Sequence, residues 1–165
     1  MIFNEYPLRA DHCAREKPGS LFALGPAGGL GWGLGAALGA KLAAPDKLIV
    51  ATLGDGAYMF ANPMAGHWVS AAHKLPILTI VFNNSRYGAV RRSTLSMFKD
   101  GAAGENDGRF LADLDPAPPY DQIAAAQGAY AERVERTADV PDALQRAREA
   151  VMNGRQALLN VITPY

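Results

Sequence analysis

Leu48-Ile49-Val50-Ala51-Thr52-Leu53-Gly54-Asp55-Gly56 is an apolar run that stops on an acid set between two glycines. A short continuous apolar run closed by turn residues predicts a buried strand. Working outward, Ile77 to Phe82 has the same character and stops at Asn83-Asn84-Ser85. Upstream, Leu21-Phe22-Ala23-Leu24 reads as a further buried strand, and Ile2-Phe3-Asn4-Glu5 as the end of a strand whose earlier part is missing. Downstream, Ala129 to Val134 and Ala157 to Ile162 complete the set.

Helical patterns lie between these runs. Leu30, Leu34, Leu38 and Leu42 recur every four residues from Leu30 to Ala44, which suits a helix whose glycines permit close packing. Asn62-Pro63 is a helix start, an Asn cap followed by Pro at the first helical position, and Met64, Trp68, Ala71 and Leu75 line one face. Asp139 caps a helix whose apolar positions are Val140, Leu144, Ala147 and Val151, ended by Asn153-Gly154. Lys99 to Pro119 is rich in Gly, Asp and Pro and reads as a long, mobile loop of the kind that carries function. Alternation of short strands with helices predicts a single α/β domain over residues 1–165. Its sheet is doubly wound and mainly parallel, with helices on both faces.

Composition narrows the function. Of 165 residues, 49% are hydrophobic and 19% charged, which is globular and not disordered. Sixteen basic residues balance sixteen acidic ones, so no net field attracts nucleic acid or an anionic membrane, and neither is expected as a partner. The longest apolar stretch, Ala27 to Ala44, is glycine-rich and carries Lys41, unlike a membrane span. The N-terminus does not read as a signal peptide, and its abrupt start suggests a fragment or a separately encoded subunit. A lone cysteine, Cys13, can make neither an internal disulfide nor a cysteine-based zinc site, and a reducing, cytoplasmic setting is the expectation.

In a doubly wound sheet, ligands bind beyond the carboxyl ends of the strands. Asp55 and Asn84 end successive strands, 29 positions apart, which brings them to one edge. A carboxylate and an amide oxygen are both hard ligands. Mg²⁺ commonly takes part of its shell from protein and the rest from a substrate phosphate and water. Each residue alone reads as a turn residue, and together they read as half of a magnesium site. A competing pattern is Gly31-x-Gly33-x-x-Ala36, a relaxed dinucleotide fingerprint with Asp55 22 residues beyond Gly33, which would make this an NAD(P)-binding Rossmann-type domain. Close helix packing is the plainer reading of the same glycines.

Two longer motifs add a resemblance. Pro26-Ala27-Gly28-Gly29-Leu30-Gly31 and Asn83-Asn84-Ser85-Arg86-Tyr87-Gly88-Ala89-Val90-Arg91, with Gly54-Asp55-Gly56, resemble the thiamine-diphosphate-dependent enzymes of the benzoylformate decarboxylase and acetolactate-synthase-like group. The similarity runs from about Asn4 to Ile162 and implies their C-terminal diphosphate-binding domain. It implies thiamine diphosphate and Mg²⁺ as cofactors. Asp55 and the Asn84 side chain would be metal ligands, with the Arg86 backbone carbonyl a third. Gly54, Gly56, Ala57, Tyr87 and Gly88 would contact the diphosphate end, largely through backbone groups, and Gly88 would open a short helix. The Gly28 carbonyl would meet the aminopyrimidine, and Leu30 would be the apolar wedge that bends the cofactor. Two departures stand out: Tyr6-Pro7-Leu8 lies where a polar diphosphate contact is common, and Ala57 where Ser is common. His67 and His73 read as surface or packing residues.

The resemblance further implies a 2-oxo-acid decarboxylase or carboligase acting on a small 2-oxo acid. Such enzymes need a glutamate from a pyrimidine-binding domain, usually on a second subunit. No segment here resembles that domain, so no catalytic acid or base is assigned. The isolated chain is expected to be inactive and its natural form an oligomer. A non-catalytic interaction module derived from the same fold is the alternative.

Overall fold

The computed structural model describes residues 1–5, 7–13, 17–25, 27–105 and 112–164. Of the segments discussed above, Tyr6, Pro26 and residues 106–111 lie outside the described residues. Six strands form one sheet: β1 Ile2–Glu5, β2 Leu21–Ala23, β3 Val50–Gly54, β4 Leu78–Asn83, β5 Tyr130–Val134 and β6 Ala157–Ile162. Their order is β2-β1-β3-β4-β6-β5, and every pairing is parallel. The helices are α1 Trp32–Ala43, α2 Asp55–Phe60, α3 Pro63–Ala72, α4 Gly88–Met97, α5 Tyr120–Ala126 and α6 Val140–Met152.

Strand alternation divides the core into two layers. Phe3, Ala51, Leu53, Val81 and Leu158 face α1, α2 and α5, where Leu34, Leu38, Tyr58 and Tyr120 are buried. The intervening Leu78, Ala157 and Leu159 face Ala143, Ala147 and Val151 of α6. Parallel strands covered on both sides are apolar on both sides, which is why the runs read continuously. The chain leaves β1 toward β2 on one side and leaves β3 toward β4 on the other. The carboxyl ends of β1 and β3 therefore open a crevice at a topological switch point.

Several expectations are corrected. Leu21–Leu24 is not a buried strand: β2 is the sheet edge, paired only with β1 and half-exposed, although Phe22 stacks on Phe3 at 4.8 Å. In the leucine series, Leu34 and Leu38 are buried, Leu42 is 70% exposed and Leu30 precedes the helix. A four-residue step turns about 400° at 3.6 residues per turn, so a strict i, i+4 series drifts off its face. In α3 the buried residues are His67 and Ser70, whereas Met64 and Trp68 are exposed. Gly66 decides this, because a Cβ there would lie 2.5 Å from Leu34 Cδ2, so α3 meets α1 on its glycine side. The two buried polar side chains of α3 find partners: the Ser70 hydroxyl donates to the Leu75 carbonyl at 2.7 Å, and His67 bonds Tyr58 and Gln156.

Asn62 and Asp139 stand where their helices begin but make no side-chain cap. Asn62 is left-handed (φ 49°), and the Asp139 carboxylate takes two hydrogen bonds from Arg136. Helices α2 and α5 had no expectation; both are too short to display a helical period. The described part of 99–119 forms turns, and residues 112–114 return to pair with 85–87 around an Arg86–Asp113 bridge. Among the described residues no helix is long and apolar enough to cross a membrane.

Candidate functional site

The strand ends at the switch point carry the unusual residues. β1 ends in Glu5, β3 runs through Gly54 into Asp55, and β4 ends in Asn83 just before Asn84. Gly54 pairs with Phe82 across β3 and β4, so Asp55 and Asn84 leave the sheet side by side. Asp55 is 2% exposed and is also the first residue of α2. Its Oδ1 accepts the Gly56 N–H at 2.9 Å and its Oδ2 the Arg86 N–H at 3.1 Å. Burial pushes the Asp55 carboxyl pKa up, against the opposing pull of these backbone donors. Asn84 Oδ1 accepts the same Arg86 N–H at 3.0 Å.

The neighbouring asparagine has a different task. Asn83 Oδ1 accepts the Ser85 N–H at 3.0 Å, and its Nδ2 donates to Asn160 Oδ1 at 3.1 Å. This closes a tight turn with Ser85 left-handed (φ 56°). The turn is held from outside as well: the Tyr87 N–H donates to the Ala112 carbonyl at 2.8 Å, and the Leu114 N–H to the Ser85 carbonyl at 2.7 Å. Arg86 Nε lies 3.0 Å from Asp113 Oδ1. The N–H of Arg86 faces inward, onto Asp55 and Asn84.

Beyond this pair lies a cavity of about 730 Å³, lined by every residue that the resemblance assigned to metal or cofactor. Gly56 is glycine because a Cβ there would meet the Tyr87 ring at 2.5 Å. Tyr87 leads into α4, which opens at Gly88 and runs to Met97, presenting its N-terminus to the cavity. On the opposite wall stand Gly28 and Leu30. Gly28 is left-handed (φ 65°) and has open space where a side chain would be. Leu30 is 38% exposed and faces the cavity, so it is not a core leucine.

Sequence reasoning gave no role to Glu5, which the structure places in the cavity lining beside the start of α1. It is 0% exposed, and its two carboxylate oxygens accept the N–H groups of Gly31 and Gly33 at 2.6 Å each. Both oxygens are engaged, so it is not a free acid or base. These bonds also argue against a dinucleotide turn. The amides such a turn would offer to a diphosphate already hold a carboxylate, and a Cβ on Gly31 would lie 2.8 Å from the Phe60 backbone. The glycines serve close packing.

The histidines lie apart from the cavity lining. His73 is exposed, edge-on to Trp68 at 6.4 Å. His67 is buried between Tyr58 Oη at 2.7 Å and Gln156 Oε1 at 2.9 Å. Gln156 Nε2 donates to the His67 and Gln127 carbonyls, which fixes its Oε1 as an acceptor. The proton of His67 therefore sits on Nδ1, and Nε2 accepts from the tyrosine. Burial holds the His67 pKa below its ordinary value.

Among the described residues no group of three or more His, Cys, Asp or Glu could hold a metal by itself. Asp55 and Asn84 supply a partial, all-oxygen set beside a cavity. That set fits a hard cation arriving with oxygens of its own, as Mg²⁺ does on a diphosphate.

Residues 6–161 match the family described as thiamine pyrophosphate enzyme, C-terminal TPP binding domain. The chain belongs to this family. Against a sulfoacetaldehyde acetyltransferase from Castellaniella defragrans, this TPP-binding domain is 33% identical over 141 residues, covering 86% of the chain and 22% of that protein. A probable acetolactate synthase from Mycobacterium bovis is 31% identical over 147 residues, covering 88% of the chain and 24% of that protein. Among solved structures, the Rhodococcus jostii thiamine diphosphate-dependent 4-hydroxybenzoylformate decarboxylase superposes with a TM-score of 0.68 at 28% identity, covering 89% of this chain and 25% of that one. The TPP-binding domain thus spans about a quarter of the length of these relatives.

Proposed function

We propose that this chain binds thiamine diphosphate through Mg²⁺ and forms the diphosphate half of a 2-oxo-acid decarboxylase or acetolactate-synthase-like carboligase. The observation that carries the reading is the meeting of Asp55 and Asn84 on the Arg86 N–H at the cavity wall. A cation beside that pair takes one formal negative charge from protein, leaving charge to be balanced by a diphosphate. The Arg86 carbonyl is the third ligand in this reading. In an extended bridge residue the C=O lies on the same side as the N–H, and that N–H faces Asp55.

Gly88 and the first turn of α4 offer N–H groups to the diphosphate, while Gly54, Gly56 and Ala57 let backbone approach it closely. Gly28 and Leu30 also line the cavity, where Leu30 would hold the body of the cofactor and Gly28 would offer a carbonyl to its ring. When bound, thiamine diphosphate supplies an electron sink for decarboxylation or carbon–carbon bond formation at a carbonyl. The chain's own share is orientation and electrostatics.

Completion of the site by a pyrimidine-binding domain, within an oligomer, belongs to the same proposal. Leu42, Phe60, Met64 and Trp68 expose large apolar side chains that a partner could cover. Calorimetric titration with thiamine diphosphate tests the reading. Binding is expected with Mg²⁺ and lost with a chelator; no binding even with a pyrimidine domain supplied would overturn it.

A further inference from the structure

Glu5 is a fully buried carboxylate with no Lys, Arg or His paired to it among the described residues. Such a group persists only where strong donors replace its hydration. Here the donors are two backbone amides, both at 2.6 Å, in charge-assisted hydrogen bonds. They belong to Gly31, which stands at the N-cap of α1 with no side chain to cap the helix, and to Gly33 in its first turn. Glu5 therefore caps α1 from the end of β1.

The position of this cap matters for the cavity. Gly31 follows directly on the Gly28–Leu30 segment that forms the far wall. On its other side it is wedged against the end of α2, where a Cβ would lie 2.8 Å from the Phe60 carbonyl carbon and oxygen. Held by a carboxylate on one side and by backbone on the other, the segment has one way to enter α1. The oxygen pair of Asp55 and Asn84, and the start of α4, hang on β3 and β4 and make no hydrogen bond to Glu5.

We infer that Glu5 is a positioning residue: its carboxylate sets the Gly28–Leu30 wall, and so governs affinity for the body of the cofactor without governing affinity for its diphosphate. This rests on the thiamine diphosphate reading above.

The test compares two probes on the full chain, Mg²⁺ with inorganic pyrophosphate and Mg²⁺ with thiamine diphosphate, by calorimetry. Glu5→Gln keeps the size of the side chain but sets an NH₂ against one of the two amides. Thiamine diphosphate affinity is expected to fall roughly 10- to 100-fold, the range seen when an outer-shell partner is lost, with pyrophosphate affinity unchanged. If Glu5→Gln does not fold, Gly33→Ala gives the same reading. Its Cβ would lie 3.0 Å from Glu5 Oε2 and 3.2 Å from Glu5 Cβ, displacing the carboxylate while retaining it. Equal losses for both probes, or no loss for either, overturn the inference. Failure of the unaltered chain to bind thiamine diphosphate, with a pyrimidine domain supplied, would instead overturn the proposed function.

Discussion

Asp55 and Asn84 accept a hydrogen bond from the same backbone N–H, that of Arg86, at 3.1 Å and 3.0 Å. One donor shared by two oxygens holds them side by side. It also leaves each with unused acceptor capacity, since a carboxylate offers several lone pairs and an amide oxygen two. The strain of arranging them is carried elsewhere, in the left-handed Ser85 and in the pairing of 85–87 with 112–114. A cation would therefore meet an oxygen pair that is already in place.

Asp55→Asn keeps the shape of that pair and removes its charge. Magnesium-dependent affinity for thiamine diphosphate should drop by roughly 100-fold, beyond the effect of an outer-shell change. The substituted chain should still fold, because the one remaining side-chain oxygen can keep the Gly56 N–H while the Arg86 N–H retains Asn84 Oδ1. Calorimetry gives the first quantity and circular dichroism the second.

Gly56→Ala should destabilise the chain by about 1–3 kcal/mol, the usual range for overpacking. The new methyl would fall 2.5 Å from Tyr87 Cδ1 and 2.7 Å from Cε1, so the ring must leave its edge-on contact with Phe60. Urea denaturation of Gly56→Ala, Tyr87→Ala and the double variant measures the coupling. The double variant should lose less than the sum of the single ones.

Gly28→Ala and Gly31→Ala separate backbone strain from steric clash. Both positions are left-handed, at φ 65° and 92°. That conformation alone costs an alanine about 1–2 kcal/mol. A Cβ at Gly28 meets open space, whereas at Gly31 it meets the Phe60 and Ala61 backbone at 2.8–2.9 Å, and backbone does not step aside cheaply. Gly31→Ala should therefore be the more destabilising, by at least about 1 kcal/mol in urea denaturation.

His67 should make stability depend on pH. Burial disfavours its imidazolium, so its folded pKa lies below the unfolded value of 6.5. Between those two values the unfolded chain binds a proton that the folded chain refuses. Stability is thus complete above 6.5 and is lost as pH falls through the depressed value, by up to about 1.4 kcal/mol per pH unit. Urea midpoints measured on acidification should show this slope, and His67→Gln should flatten it even if the variant is less stable throughout.

Local patterns carried much of this into view before any coordinates. Apolar runs closed by Gly-Asp-Gly and Asn-Asn marked β3 and β4, because a strand buried on both faces records its burial in its own residues. The same runs put Asp55 and Asn84 at one sheet edge, since parallel strands joined by helices end on the same side. What the sequence left open was partnership. A helical period gives α3 a face but does not say which face is wanted. The contact of Gly66 with Leu34, 32 positions away, turned His67 and Ser70 inward and left Trp68 outside.

The division has one physical basis. The sequence by itself determined most of the strands, their parallel alternation and the placing of Asp55 and Asn84 at one sheet edge, all of which follow from residues near one another in the chain. Only the tertiary structure decided that Asn83 is tied to Asn160, that α3 turns His67 and Ser70 inward, and that Glu5 holds amides 26 and 28 positions away. Those outcomes depend on distances between segments that no local period or turn signal encodes.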